Sequence, residues 1–144
     1  MIVDDFEIVN ALVCDDVRRE SSGKDILIGV YGSAILVTRF PASISPMLWI
    51  QARALKSGEI KFAIRMLNEH EAVFFETSGG VDTDEPGGLG AFSVGGVNLQ
   101  VHSEMNLIFQ LKIDSGEWTN VLEIPIELQS QSGHTPSDRE GENG

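Results

Sequence analysis

The chain has 144 residues, 42% of them hydrophobic and 22% charged, and a formal net charge of −12. That length supports one self-sufficient core and is too short for two ordinary domains. So negative a surface repels phosphate backbones and anionic lipid heads, so no nucleic-acid or membrane partner is expected; the densest basic pair, Arg18-Arg19, is itself flanked by Asp15, Asp16 and Glu20.

The N-terminus, Met1 to Asp5, has no basic stretch followed by an apolar one, and no run reaches the length of a transmembrane helix, so the expected compartment is the cytoplasm. Phe6–Cys14 and Ile26–Tyr31 are apolar on both faces, which predicts central strands. Ser21-Ser22-Gly23-Lys24 reads as the turn between them, and Gly32-Ser33 as a two-residue hairpin turn. Ala34–Phe40 and Met47–Leu55 continue the strand series, although Trp49–Lys56 also has helical propensity. Glu59–Asn68 alternates, with Ile60, Phe62, Ile64 and Met66 on one side and Lys61 and Arg65 on the other, the period of a half-buried strand. Val73–Phe75 and Phe92–Val101 follow, the second interrupted by Gly95-Gly96, where a bulge or tight bend is expected.

Met105–Ile113 alternates again, and so does Leu122–Leu128. Pro125 lacks a backbone donor, which places the last of these at an edge or a bulge. Lys56-Ser57-Gly58 and Asp114-Ser115-Gly116 are short turns. The pattern predicts an all-β domain over residues 1–128, an antiparallel β-sandwich of about eight strands. Residues 129–144 hold no apolar side chain except Pro136 and read as a disordered polar tail.

Ala11-Leu12-Val13-Cys14-Asp15-Asp16-Val17-Arg18-Arg19-Glu20, then Gly23-Lys24, then Leu27-Ile28-Gly29-Val30-Tyr31, resembles the opening of an uncharacterised family of small bacterial β-rich proteins. The resemblance covers the first quarter and continues more weakly through the Pro41 and Trp49 region. It implies a compact β domain and brings no assigned activity.

Three site chemistries compete. Asp82, Asp84 and Glu85 lie in the acidic, glycine-rich stretch 78–90, and Asp15 and Asp16 could join them as oxygen ligands for calcium if the fold brings the two loops together. A solvated hairpin loop has the same composition. Gly87-Gly88-Leu89-Gly90 has no following Lys-Ser/Thr and three acids just upstream, which excludes a phosphate loop. Cys14 beside His70 or His102 would make a small cysteine hydrolase; His134 falls in the tail. Cys14 is the only cysteine, which rules out an internal disulfide. Its apolar neighbours predict a buried structural thiol, its pKa raised by Asp15 and Asp16.

Arg18 and Arg19, with Asp15 and Asp16, form a dense charged turn, read as ion-paired structure or as a recognition patch. Trp49 alternates onto a polar face with Gln51 and Arg53, where it either anchors an interface or packs under a loop. The leading expectation is a non-catalytic protein-interaction or accessory module with a protein partner or a second copy. No cofactor is expected outside the calcium reading.

Overall fold

The structure, a computed structural model, describes residues 1–130. These residues form twelve strands and no helix: β1 (Ile2–Val3), β2 (Phe6–Arg19), β3 (Asp25–Val30), β4 (Ile35–Val37), β5 (Ala42–Ile44), β6 (Met47–Ala54), β7 (Gly58–Asn68), β8 (Val73–Thr83), β9 (Leu89–Gly95), β10 (Leu99–Val101), β11 (Met105–Ile113) and β12 (Thr119–Leu128). One five-stranded sheet has the order β1-β2-β6-β9, with β3 added to β2. The other has the order β4-β12-β11-β7-β8, and β5 and β10 form a separate two-stranded ladder.

The two large sheets share one apolar cluster, which gives the sandwich its single core. Period-two alternation supplies it from both sides: Leu48, Ile50 and Ala52 from β6, Ile60, Ile64 and Met66 from β7, and Leu107, Phe109, Leu111 and Ile113 from β11. Phe6 meets Phe62 edge-on across the sheets, ring centroids 6.4 Å apart. A fully buried Leu, Ile or Phe is worth about 1.5–3 kcal/mol over its exposed state, so this cluster dominates the stability of the domain.

Several expectations change in detail. The strand count exceeds eight because four of the twelve strands, β1, β4, β5 and β10, have only two or three residues each. Trp49–Lys56 is not helical: β6 alternates strictly between half-buried and buried residues. The Gly32-Ser33 turn does not close a hairpin. It carries the chain from β3 in one sheet to β4 in the other, where β4 pairs β12 in parallel, Ile126 opposite Ile35. All the other ladders are antiparallel. Pro125 lies beside Asn106 of β11, one residue before the pairing with β4 begins, so on that flank it asks for no donor.

β2 is central, as expected, but β3 is an edge strand paired only with β2. The stretch 78–90, read as a loop, is mostly strand, because β8 runs to Thr83 opposite Gly58 and β9 begins at Leu89. From residue 131 on, the expected tail lies outside the described residues. Gln129, its first residue, still donates its N–H to the Val37 carbonyl at 2.7 Å. Among the described residues no helix is long and apolar enough to cross a membrane.

Candidate binding surfaces

β2 outruns the sheet that it organises. Residues 6 to 14 pair with β6, while beyond Cys14 the strand pairs only with β3. The resulting two-stranded flap folds back over the outer face of the sheet. Leu12 sits opposite Trp49 and Arg19 sits opposite Asp25, seven residues further along β2. A straight strand would separate those levels by about 23 Å, yet the Trp49 indole N–H donates to Asp25 Oδ2 at 2.9 Å.

The bend that allows this lies at Asp15 and Gly29. Gly29 has φ +69°, and the Asp15 carboxylate occupies the space where a Cβ would stand. Asp15 Oδ1 also accepts a hydrogen bond from the Tyr31 hydroxyl at 2.5 Å. Burial pushes the Tyr31 pKa up to about 12, with the hydrogen bond to Asp15 and its negative charge adding to the effect.

Alternation then sorts the flap into two faces. Val17 and Leu27, directly opposite one another, are half-buried against the sheet. Asp25, only 12% exposed, bridges Trp49 and the Arg19 guanidinium, whose Nη2 lies 3.2 Å from Oδ1. The other face is open. Ile26, Ile28 and Val30 are 42%, 44% and 47% exposed. Beside them Arg18 Nε lies 2.9 Å from Asp16 Oδ2, and this bond holds the Asp16 carboxyl below its usual range. The predicted interaction residues are thus gathered at one place. Trp49 is the support beneath the flap, and Arg18 and Arg19 lie on the flap itself, each paired within it.

A second surface opens on the other side of the sandwich, between the edge strands β8 and β9. It is a cleft of about 390 Å³ into the core, walled by Phe6, Phe62 and Phe92 and floored by Ala52, Ala54 and Gly90. Phe62 and Phe92 stack at 4.8 Å with their planes tilted by 31°. The only side-chain hydroxyl in the lining is that of Thr83, which is occupied by the turn: it donates to the Glu85 carbonyl at 3.0 Å and accepts from the Glu85 N–H at 3.3 Å.

The model of DUF6941, a family of unknown function, matches residues 10–127, from the first third of β2 almost to the end of β12. The chain belongs to that family. The match reaches well beyond the first quarter that suggested an uncharacterised family, and no curated protein matches the chain.

In this DUF6941 chain the acidic residues proposed as calcium ligands do not converge. Asp82 lies opposite Glu59, at the end of the sandwich where Phe6 pairs Ala54, and Asp84 follows in the next turn. Asp15 and Asp16 follow Cys14 at the other end of β2, roughly 25 Å away along the strand. Among the described residues no group of three or more His, Cys, Asp or Glu could hold a metal ion.

Cys14 is fully buried. Its thiol donates to the Asp16 carbonyl at 3.5 Å, and burial raises its pKa, with Asp15 and Asp16 adding to the rise. Among the described residues no histidine bonds to it. His70 sits exposed in the turn between β7 and β8, its backbone N–H held by Asn68, and His102 is exposed after β10.

One feature of this chain has no forerunner in its sequence: Trp118, with the Arg65 guanidinium 4.2 Å and the Lys112 ammonium 5.0 Å from its ring centre. Arg65 Nε donates to Gln110 at 2.8 Å and Gln110 donates to Asn120 at 2.7 Å, a polar ladder across three strands. The chain's own cations stack on this ring. Register, which sets Arg65 opposite Gln110 and Gln110 opposite Asn120, was the missing signal.

Proposed function

We propose that the chain is a non-catalytic interaction module, and that it binds a protein partner through the β2–β3 flap. One observation carries the reading. The flap presents Ile26, Ile28 and Val30 in a row on a two-stranded hairpin whose outer edges pair with nothing among the described residues. Soluble proteins blunt such edges with lysine, proline or bulges that turn the edge away. Asp25–Val30 contains neither lysine nor proline, and its one charge, Asp25, faces inward.

An exposed aliphatic strand of this kind supports strand addition by a partner, whose backbone pairs with β3 while its side chains meet the isoleucines. The cation of Arg18 and the anion of Asp16 at the margin favour a mixed polar rim over an oily patch. The resemblance of the opening residues and the single buried thiol support placing this work in a bacterial cytoplasm.

The test is a comparison of the wild-type chain with Ile26→Thr/Ile28→Thr, which keeps strand propensity and removes apolar surface. Both are recovered gently from the native host and examined by native mass spectrometry. A bound partner protein should ride with the wild type and be lost from the variant, with circular dichroism unchanged. Equal retention by both chains would sink the reading.

A further inference from the structure

We infer that the cleft between β8 and β9 is a peptide site, taking an extended segment that carries one apolar side chain flanked by lysine or arginine. It shares no residue with the flap and stands independently of it.

The register explains why the cleft exists. Directly opposite residues in an antiparallel ladder share a face. Ile50 is opposite Phe92, and two residues on, Ala52 is opposite Gly90, so both of these point inward. Across the gap Phe62 is opposite Gly79. Further along the same strands the inward positions hold Leu48, Ile64 and Met66, all fully buried. Protein interiors are close-packed, with few voids larger than a water molecule. A cleft of about 390 Å³ is therefore written into the sequence by alanine and glycine at positions that elsewhere carry large side chains. Its size and apolar lining are those of a ligand site, about 300 Å³ being the lower end of that range.

Gly90 is the most informative residue. Its φ is not in the left-handed region, and a Cβ there would meet nothing within 4 Å. No turn, strain or close contact requires glycine. Glycine inside a strand is destabilising, and it often marks the approach of another backbone. Among the described residues β8 and β9 each pair on one side only, so both offer an unpaired edge along the mouth.

Charge selects the occupant. Asp84 and Glu85 stand in the turn between the lining residues Thr83 and Gly88, and Glu59 and Asp82, opposite one another, lie with Lys61 on the outer face of the same margin, the face that residues flanking an inward anchor on an added strand would share. Arg53 nearby is committed, its Nε 3.4 Å from Glu7 and its Nη1 donating to the Gly87 carbonyl at 3.3 Å. The sequence of residues 131–144 holds no Val, Leu, Ile, Met, Phe, Tyr or Trp to serve as that anchor and includes Asp138, Glu140 and Glu142. A second copy, at a formal charge of −12, is repelled. A basic segment with a single apolar anchor meets both the lining and the rim.

The experiment titrates the full chain, by backbone NMR, with nine-residue peptides of alternating Thr and Lys around a central Leu or Phe. Controls carry a central Ser, or Glu for every Lys. The Leu and Phe peptides should shift the resonances of Ala52, Gly80, Gly90 and Phe92, and both controls should bind at least tenfold more weakly. Gly90→Leu should abolish the shifts. Gly90→Ala should weaken binding while holding or raising Tm, which a merely structural glycine would not do. Glu59→Gln/Asp82→Asn should weaken binding and flatten its salt dependence. No shifts at millimolar peptide, equal binding of the Glu peptide, or indifference to Gly90→Leu would each overturn the assignment. Saturation of the same residues by indole or hexanol, with no response to any peptide, would make the cleft a small-molecule site and overturn it as well.

Discussion

Replacing Gly29 by alanine tests the bend on which the whole flap depends. Two costs are readable from the structure. The first is conformational: at φ +69° an L-residue with a Cβ loses about 1–2 kcal/mol relative to glycine. The second is steric. The new methyl would stand where the Asp15 carboxylate lies, so Asp15 must swing away and release the Tyr31 hydroxyl. A half-exposed hydrogen bond of this kind is worth about 1 kcal/mol. Gly29→Ala should therefore cost roughly 2–3 kcal/mol in the wild-type background, the sum of those two contributions. In an Asp15→Ala background the carboxylate clash is gone, with only the Cβ of residue 15 left 3.1 Å from the new methyl, and the same substitution should cost only about 1–2 kcal/mol.

Urea unfolding of the four chains gives the cycle, and native-state hydrogen exchange at Leu27 and Ile28 shows where the loss falls. If the flap undocks before the sandwich melts, the cost appears as faster exchange in β3 with little change in the global midpoint. A cost below about 0.5 kcal/mol by both measurements, or an equal cost in both backgrounds, would refute the packing of Asp15 on Gly29 as the cause of the bend.

Tyr31 is the chain's only tyrosine, so its phenolate absorbance can be titrated without interference. The midpoint should lie near 12 and move down towards 10 in Asp15→Asn, with circular dichroism run alongside. The folded pKa is raised above the unfolded one, so the neutral phenol's contribution is fully present below about pH 10 and is lost as pH climbs towards 12; a midpoint of 10 in the native protein would contradict this. Cys14 should resist a thiol reagent at pH 8 until the protein is unfolded, because the thiol is both buried and shifted towards its neutral form. Stoichiometric labelling of the native chain within minutes would show that the strand opens there.

What could be read from the sequence was whatever depends on local alternation. Ile60, Phe62, Ile64 and Met66, and Leu107, Phe109 and Leu111, face the core as their spacing required. Trp49 likewise shares its face with Gln51 and Arg53. Its partner Asp25 was out of reach of the same argument, because that contact depends on how far the flap folds back. Ile26 to Val30 looked central because apolar residues on both faces usually mean cover on both faces; here one face stays open.

The second half of β8 was hidden for a different reason. Ser78-Gly79-Gly80-Val81-Asp82-Thr83 has turn composition, and only pairing with Gly58–Ala63 makes it a strand. The calcium reading needed Asp15 and Asp82 at one end of the sandwich, a question of strand order on which spacing is silent. The cleft had a signal that went unused. Once β6 and β9 are aligned, Ala52 and Gly90 are small residues at inward positions, and small residues there leave room.

The parallel pairing of β4 with β12 bears on how the protein is made. Residues 35–37 wait for residues 126–128, about ninety positions later, and Gln129 extends that seam to Val37. Pairings so distant along the chain are slow to form, since the loop must close before any contact rewards it. On the ribosome, Ile35 and Val37 have no neighbouring strand among the described residues until β12 has left the exit tunnel. Synthesis from the N-terminus therefore cannot finish this sheet piecemeal. Residues 126–128 complete a seam that residues 35–37 began, and a nascent chain stalled anywhere short of β12 carries an unsealed core.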